Sequence, residues 1–203
     1  MLKIHHGKHT RSLRVVWIAE ELAVTYESHH VPFDPATLKS DAFLSISPFG
    51  ALPAIEDRGV RMVESGAICQ YLTERYGKAP FRRELGDPDY PVYLQWLHAG
   101  EATMTPPLAN IAQHTSIRPQ AMRIPQVAAE AVETFRERLH VLDAHLSGKH
   151  YILGADMSAA DVMVGYALHL AALFRLMDDA PAHVSAYWKR LQERPAYQRA
   201  IAK

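Results

Sequence analysis

A carboxylate and a hydroxyl stand side by side at Glu64 and Ser65, directly before a run with helical spacing. A helix N-terminus attracts a carboxylate through its free N–H groups and its dipole, and the Glu64 carboxylate attracts an ammonium group. An α-amino acid carries both charges on one carbon, so the pair is suited to the amino-acid end of a ligand. Ser65 as an ordinary N-cap, with its hydroxyl on one helix N–H, explains the same residues without a ligand.

Leu52 and Pro53 open the predicted strand that precedes this pair. A proline at the start of a strand removes one N–H from the ladder, so it belongs at a sheet edge. With a cis peptide bond, Leu52 would present its own N–H and carbonyl outward, and an extended peptide could pair with them as an added strand. The dipeptide alone favours a trans edge proline, because few X–Pro bonds are cis.

Thr10 and Ser12 place two hydroxyls where the first predicted strand meets the first predicted helix. In an α/β sheet, the carboxyl end of a strand beside a helix N-terminus is a usual place for chemistry. No cysteine lies in this stretch, so thiol chemistry here needs a thiol supplied by the ligand. We expect at least one hydroxyl to cap the helix, and Ser12, being closer to the helix, is the better candidate for the cap.

A small sheet must position these residues. Strand patterns occur at LKIHH, TYESHHV, LPAIED and VRMVE, and helix patterns at SLRVVWIAEEL and SGAICQYLTERYG. Arg58 and Gly59 form the turn of a hairpin between the last two strands. The predicted order is β-α-β, a loosely helical stretch, then β-β-α, which fits one sheet with helices on both faces.

The stretch KAPFRRELGDPDYP interrupts this pattern with three prolines and several charges, and no strand pattern follows it. We predict one domain over residues 1–78, a linker over 79–88 and an all-helical domain over 89–203. Proline inside a helix costs about 3 kcal/mol, so Pro106 and Pro107 should kink or end the first helix of the second domain. SAADVMVGYALHLAAL is apolar nearly all round and predicts a buried central helix. The helix that precedes this central helix shows an apolar stripe, formed by Val127, Ala131, Phe135, Leu139, Leu142 and Leu146.

Composition excludes several classes of protein. Hydrophobic residues make up 48% of the 203 residues, and the formal net charge is zero. Binding to nucleic acid or to an anionic membrane needs a basic excess that this chain lacks. Cys69 is the only cysteine, which excludes an internal disulfide framework and suits a reducing compartment. The first ten residues do not resemble a signal peptide, and the longest apolar run is too short to span a bilayer. We expect a cytoplasmic protein with no nucleic acid or membrane partner.

The 12 histidines do not predict a metal site. No HExxH motif is present, and His140, His145 and His150 are five residues apart, which places neighbours on different faces of a helix. His5 and His6 alternate across a strand. We therefore expect no bound metal.

Several motifs together resemble the glutathione S-transferase superfamily. They are SPFGALPAIED, ESGAICQYL, the thiol-free TRSLRVVWIAEEL, SAADVMVGY, and the pattern W-x-H-x-x-E-x-x-x-x-P-P-L from Trp96 to Leu108. The resemblance covers essentially the whole chain. It implies an α/β plus all-α fold, with an N-terminal thioredoxin-like βαβαββα domain and a C-terminal helical-bundle domain. It also implies a cytoplasmic homodimer with a role in detoxification.

The resemblance identifies the ligand as glutathione, γ-Glu-Cys-Gly, a co-substrate. Pro53 then matches the family's cis-proline, and Leu52 pairs through its backbone with the cysteinyl unit. Glu64 and Ser65 hold the γ-glutamyl ammonium and carboxylate. The family's activating serine falls on Thr10, which is the preferred catalytic residue; Ser12, or backbone N–H groups at the helix N-terminus, are the alternatives for activating the thiol.

Three further positions take their meaning from the resemblance. Ala51 stands where many relatives have lysine or glutamine, so the contact to the glycine carboxylate is missing or is supplied by Lys39 or another group. Ser158 and Asp161 match the family's helix-capping box, and Ser-x-x-Asp before an apolar run agrees with that structural role. Phe49 resembles an aromatic residue that some relatives insert into a partner subunit, although packing against its own domain explains it equally well.

The expected activity is attack by the glutathione thiolate on a small hydrophobic electrophile. The electrophile would lie between the domains, where Met104, Leu108 and His114 could line an apolar pocket; packing alone explains the same residues. A glutathione-dependent disulfide reductase would need a cysteine near Thr10. A glutathione-dependent hydroperoxide reductase and a non-catalytic glutathione-binding or assembly module remain as alternatives.

Overall fold

Four strands form one mixed sheet in a computed structural model that describes all 203 residues. The strands are β1 Leu2–His6, β2 Tyr26–His30, β3 Ala54–Asp57 and β4 Val60–Val63, in the order β2-β1-β3-β4. β1 runs parallel to β2 and antiparallel to β3, and β3 pairs with β4 as an antiparallel hairpin. The hairpin turn is Arg58-Gly59, and both residues have positive φ (51° and 83°), as a two-residue turn of this kind requires.

Four helices accompany the sheet and complete the predicted βαβαββα order. They are α1 Ser12–Glu21, the short α2 Pro35–Leu38 and α3 Asp41–Leu44, and α4 Ser65–Tyr76. Every residue of α1 from Ser12 to Ala19 is buried, so this helix lies in the core of its unit. The thioredoxin-like prediction is confirmed.

The remaining elements are helical, as predicted. α5 Tyr90–Ala99 continues through a π-helical turn, Gly100–Met104, into α6 Thr105–Ala112 and a second π-helical turn, Gln113–Ile117. After a 3₁₀ turn at Gln120–Met122 come α7 Pro125–Leu146, α8 Ala159–Leu173, α9 Ala182–Gln192 and α10 Pro195–Ile201. None of the helices has the length and apolar character needed to cross a bilayer.

Pro106 and Pro107 do not end the helix on which they lie. They occupy the first turn of α6, directly after the first π-helical turn. In a first turn the missing N–H of proline has no intrahelical partner to lose, so proline is tolerated there.

Close packing in the second part of the chain depends on Gly100 and the central helix α8. α8 is buried on nearly all sides, as predicted. A methyl group added at Gly100 would lie 2.6 Å from the backbone of Met163 on α8, so only glycine fits there. On α7 the buried stripe contains Ala128 where the sequence predicted Val127, and its other members are as predicted.

The capping box before α8 is confirmed. Asp161 is fully buried; its Oδ2 accepts hydrogen bonds from the N–H of Ser158 at 2.7 Å and its Oδ1 accepts from the N–H of Ile152 at 2.8 Å. The Tyr187 hydroxyl donates to Oδ1 at 3.0 Å. Burial raises the pKa of Asp161, while these donors act in the opposite direction. The box fixes the start of the central helix.

The chain divides into two compact units, and the first is discontinuous. It consists of Met1–Arg82 and Gln192–Lys203, and the second consists of Arg83–Leu191. Tyr197 packs edge-on against Trp17 of α1, with 4.8 Å between ring centroids, and Arg194 donates to Glu21 at 2.6 Å. The sequence-based boundary placed residues 192–203 in the second domain, because these pairs are too far apart in sequence to leave a local pattern.

Candidate functional site

Strand register brings the candidate residues of the first unit to one end of the sheet. Ala54 of β3 pairs with His5 of β1 and with Val63 of β4. The loop after β1, the Leu52-Pro53 dipeptide before β3 and Glu64 after β4 therefore lie at the same end. Apart from Lys39, the residues predicted for ligand binding come from three separate stretches of sequence, and pairing of the strands assembles them.

The hydroxyls of Thr10 and Ser12 contact each other in the loop after β1. Their oxygens are 2.6 Å apart, and the Thr10 hydroxyl donates to the carbonyl of Gly7 at 2.8 Å. Ser12 Oγ accepts the N–H of Gly7 at 3.1 Å and lies 2.8 Å from Nδ1 of His6. Thr10 is 8% exposed and Ser12 is completely buried, so Thr10 is the more accessible of the two residues.

The predicted capping role of Ser12 is wrong. α1 has no side-chain cap, and Ser12 is its first residue, so its hydroxyl points back to the loop rather than to an N–H of the helix. The Ser12 N–H instead donates to Thr10 Oγ1, at 3.3 Å. Each hydroxyl thus holds the loop against the end of β1.

His6 is a buried, uncharged member of this group. Burial is the largest cause that lowers its pKa from 6.5 to about 4, and the charges of His30, His9 and Lys8 lower it further. Its neighbour His5 lies on the opposite face of β1, where Nε2 is 3.1 Å from Glu56. No group of three or more histidine, cysteine, aspartate or glutamate side chains is arranged to hold a metal ion.

Leu52 keeps both of its backbone hydrogen-bonding groups unused. Its peptide bond to Pro53 is cis, and no hydrogen bond within the chain uses the Leu52 N–H or carbonyl. The loop before it is held by Ser47, whose hydroxyl donates to the carbonyl of Ala51 at 2.8 Å. A buried residue with a free donor and acceptor offers an extended peptide one step of a β ladder.

Gly7 allows the Leu52 loop and the hydroxyl loop to approach closely. A methyl group added at Gly7 would lie 2.8 Å from Leu52 Cδ1 and 3.5 Å from Thr10 Cγ2. The side chains of Leu52 and Thr10 therefore both pack against Gly7, and a larger residue there would push them apart.

Helix α4 begins one residue earlier than predicted. Its N-cap is Glu64, which has φ +72° and whose carbonyl accepts the N–H of Ile68 at 2.9 Å. Ser65 is the first helical residue, so its predicted N-cap role is wrong. No side chain caps the helix, and its first N–H groups are left for a ligand.

Ser65 is instead bonded to a buried arginine. Nη1 of Arg14, a completely buried residue of α1, donates to Ser65 Oγ at 2.9 Å. The exposed Glu64 carboxylate stands beside this pair at the helix start. A ligand carboxylate at the N–H groups and an ammonium at Glu64 fit this arrangement of charges.

Lys39 and Ala51 lie near the same loop. Lys39 is exposed, and its ammonium donates to the carbonyl of Phe49 at 3.2 Å, close to Ala51 in sequence. Its charge is therefore held beside the loop that leads to Leu52. Ala51 itself offers no polar side chain.

The three residues predicted for the electrophile belong to the second unit. Met104 ends the first π-helical turn, Leu108 lies on α6 and His114 lies in the second π-helical turn. All three are buried, and His114 Nδ1 accepts the N–H of Ile124 at 2.9 Å. These contacts account for packing within the unit.

His6, Arg14 and Ser47 are site residues that the sequence interpretation did not single out. Arg14 carried the clearest signal, because a charged residue among the apolar positions of a buried helix needs a partner. His6 and Ser47 carried none, since both types are common in loops and strand ends.

The sequence matches two protein families over separate stretches. Residues 3–74 match the family Glutathione S-transferase, N-terminal domain, and residues 106–195 match Glutathione S-transferase, C-terminal domain. The first match contains all the candidate residues of the first unit, and the second contains Leu108 and His114.

Individual relatives match along most of their length. "Glutathione S-transferase 1" of Zea mays is 31% identical, over 90% of this chain and 87% of the relative. "Glutathione S-transferase-like protein OpS6" of Beauveria bassiana is also 31% identical, over 97% of this chain and 92% of the relative. A crystal structure of the theta class glutathione S-transferase from Xanthomonas axonopodis pv. citri with glutathione bound is 25% identical, with a TM-score of 0.84 over 100% of this chain and 97% of that one.

Proposed function

The chain belongs to the glutathione S-transferase family and is a glutathione transferase, and from this premise we propose which residues hold glutathione and which activate its thiol. Glutathione is the co-substrate. The observation that carries the assignment is the unused backbone pair of Leu52, a residue whose side chain lies with that of Thr10 against Gly7 and which is at the same end of the sheet as Glu64.

Glutathione is held at three points in this proposal. The cysteinyl unit pairs with the N–H and carbonyl of Leu52, in the loop completed by Pro53. The γ-glutamyl carboxylate binds the open N-terminus of α4 at Ser65, and its ammonium binds Glu64. Lys39, whose ammonium stands beside the same loop, binds the glycine carboxylate.

Thr10 is the proposed catalytic residue. A free thiol has a pKa of about 8.5, so only about 3% is ionised at pH 7. A hydrogen bond to a charged group contributes about 1.5–3 kcal/mol, which lowers a pKa by about one to two units. A bound thiol with a pKa near 6.5 is about three-quarters thiolate at pH 7.

The reaction needs no base on the protein. The thiol releases its proton to water, and the Thr10 hydroxyl donates a hydrogen bond to the thiolate that remains. The sulfur lone pair forms a bond to the electrophilic carbon, and the leaving group departs with the electron pair of the bond that breaks. Met104, Leu108 and His114 are the proposed contacts of a small hydrophobic electrophile.

We also propose a cytoplasmic homodimer that acts in detoxification. Phe49 supports the dimer, because 67% of its surface is exposed in the loop before Leu52. The single cysteine, Cys69, which suits a reducing compartment, supports the location.

Calorimetric titration with glutathione, followed by conjugation to an aryl halide, tests the proposal. The parent should bind glutathione and catalyse conjugation. Thr10→Ala should raise the pKa of bound thiol by about one unit or more, because a donor to a charged group is lost, while affinity at low pH should change little. Thr10→Ser, which keeps the hydroxyl, is the matched control. Binding without turnover in the parent would favour a glutathione-binding module, and an unchanged thiol pKa in Thr10→Ala would remove Thr10 from the catalytic role.

A further inference from the structure

Three side chains behind the proposed thiol site form a continuous row of hydrogen-bonding atoms. His6 Nδ1 lies 2.8 Å from Ser12 Oγ, and Ser12 Oγ lies 2.6 Å from Thr10 Oγ1. All three side chains are buried. Each hydroxyl carries one hydrogen and a neutral imidazole carries one N–H. The positions of these three hydrogens decide which group donates and which accepts in each contact of the row.

The shortest contact decides that direction. Two hydroxyl oxygens 2.6 Å apart need a hydrogen between them. If Thr10 donates its hydrogen to a ligand sulfur, the hydrogen between the oxygens must come from Ser12. Ser12 then has none left for His6, and the imidazole must supply the hydrogen between Nδ1 and Ser12 Oγ.

We propose that His6 is a positioning residue that carries its proton on Nδ1 and, through Ser12, turns the Thr10 hydroxyl toward the sulfur of bound glutathione. This inference rests on the proposed function, in which Thr10 donates to the thiolate. Ser12 is a second positioning residue. No proton is transferred between the three side chains. Because all the hydrogen bonds of the row point in the same direction, each one strengthens the next.

This arrangement keeps the other contacts of the surrounding backbone, but Ser12 Oγ, which lies 3.2 Å from the Gly7 carbonyl, no longer donates to it. Ser12 Oγ accepts from the N–H of Gly7 as well as from His6, and Thr10 Oγ1 accepts from the Ser12 hydroxyl and the Ser12 N–H. The Gly7 carbonyl still accepts the N–H of Thr10, at 3.2 Å, when the Thr10 hydroxyl turns away from it. The low pKa of His6 keeps the imidazole neutral, so its single N–H has one of two positions.

Nitrogen NMR of the ring tests the proton position without any ligand, because the Thr10 hydroxyl then donates to the carbonyl of Gly7 and Ser12 must again supply the hydrogen between the two oxygens. The His6 signals are assigned as those that disappear in His6→Asn. We expect the chemical shift of Nδ1 to be that of a protonated nitrogen and the chemical shift of Nε2 to be that of an unprotonated one. The reverse pattern overturns the proposal whether or not glutathione binds.

The pKa of bound glutathione, followed by thiolate absorbance, tests the consequence. Ser12→Ala and His6→Gln should each raise that pKa by about 0.3–1 unit, a fraction of the effect of losing Thr10. His6→Asn places an amide near the position of Nδ1 and should restore most of the parent value. His5→Asn, on the opposite face of β1, is the matched control and should leave the pKa unchanged.

Failure of the proposed function and failure of the proposed role of His6 give different results. A parent protein that does not bind glutathione, or does not lower its thiol pKa, overturns the proposed function. The NMR shifts of the His6 ring nitrogens alone then decide which nitrogen carries the proton. Normal binding with a thiol pKa that is the same in the parent, His6→Gln and Ser12→Ala overturns the role of His6. Melting temperatures of all variants separate these effects from unfolding.

Discussion

Glu64 combines an unfavourable backbone conformation with a carboxylate that has no ion-pair partner. A non-glycine residue at φ +72° costs of order 1–3 kcal/mol, and its exposed carboxylate forms no ion pair within the chain. Stability alone does not account for this residue. The backbone conformation makes Glu64 the N-cap of α4, and its carboxylate lies where we propose that the ammonium of glutathione binds.

Glu64→Ala and Ser65→Ala should each weaken glutathione binding roughly ten- to a hundred-fold, because losing one charge-assisted bond costs about 1.5–3 kcal/mol. Glu64→Gln keeps the shape and removes only the charge, so its affinity should fall nearly as far as that of Glu64→Ala. Calorimetric titration measures all three variants. Parent-like affinity in both alanine variants would show that the ligand is not held here.

Acid should weaken the folded state through His6. Its pKa is about 4 in the folded protein against 6.5 in the unfolded chain. Between these values the unfolded chain binds more protons, so the free energy of unfolding falls as the pH is lowered, by up to about 1.4 kcal/mol per pH unit. His6→Asn should lose less stability than the parent over this range. Urea unfolding at several pH values measures it, and identical pH dependence in both proteins would contradict the buried, neutral state of His6.

Residue types and spacing, together with the family resemblance, were sufficient to predict Leu52, Glu64, Ser65 and Thr10 as candidate site residues. They were not sufficient for the contacts of Ser12 and Ser65, because each hydroxyl has several partners within reach until the backbone is known. Arg14 reaches Ser65 from 51 positions away. Such a pair leaves no local pattern, so only the assembled sheet and helices reveal it.

Element positions were predictable where periodicity was strong, and shifted where backbone geometry departed from the regular form. The order of strands and helices in the first unit follows from alternation and turn residues. α4 begins one residue early because of the positive φ of Glu64, and a π-helical turn directly precedes the first turn of α6, in which Pro106 and Pro107 lie. A wider helical turn has no simple signature in residue types.

Gly100 should be the most sensitive glycine of the second unit. Gly100→Ala forces α5 and α8 apart, since the new methyl group would lie 2.6 Å from the Met163 backbone, and overpacking typically costs about 1–3 kcal/mol. Gly86→Ala adds the same methyl group where nothing lies within 4 Å, and serves as the control. Thermal unfolding of both variants checks the difference. Equal melting temperatures would mean that the two helices can separate at little cost.

At the scale of the whole molecule, the chain should form a homodimer with Phe49 at the subunit contact. A large aromatic side chain that is 67% exposed favours burial by a partner. Light scattering at micromolar concentration should give twice the mass of one chain, and Phe49→Ala should shift the equilibrium toward the monomer. A monomeric parent would exclude the dimer, whereas a dimer unaffected by Phe49→Ala would exclude only this anchor.

The return of Gln192–Lys203 to the first unit has a consequence for biosynthesis. Trp17 and Glu21 meet their partners Tyr197 and Arg194 only after all of Arg83–Leu191 has been translated. At roughly 5–20 residues per second, several seconds separate the two halves of that unit on the ribosome. The glutathione-binding unit is therefore finished after translation of the helical unit, although it is begun first. A nascent chain stopped anywhere within the second unit leaves the α1 surface around Trp17 without the cover that Tyr197 provides.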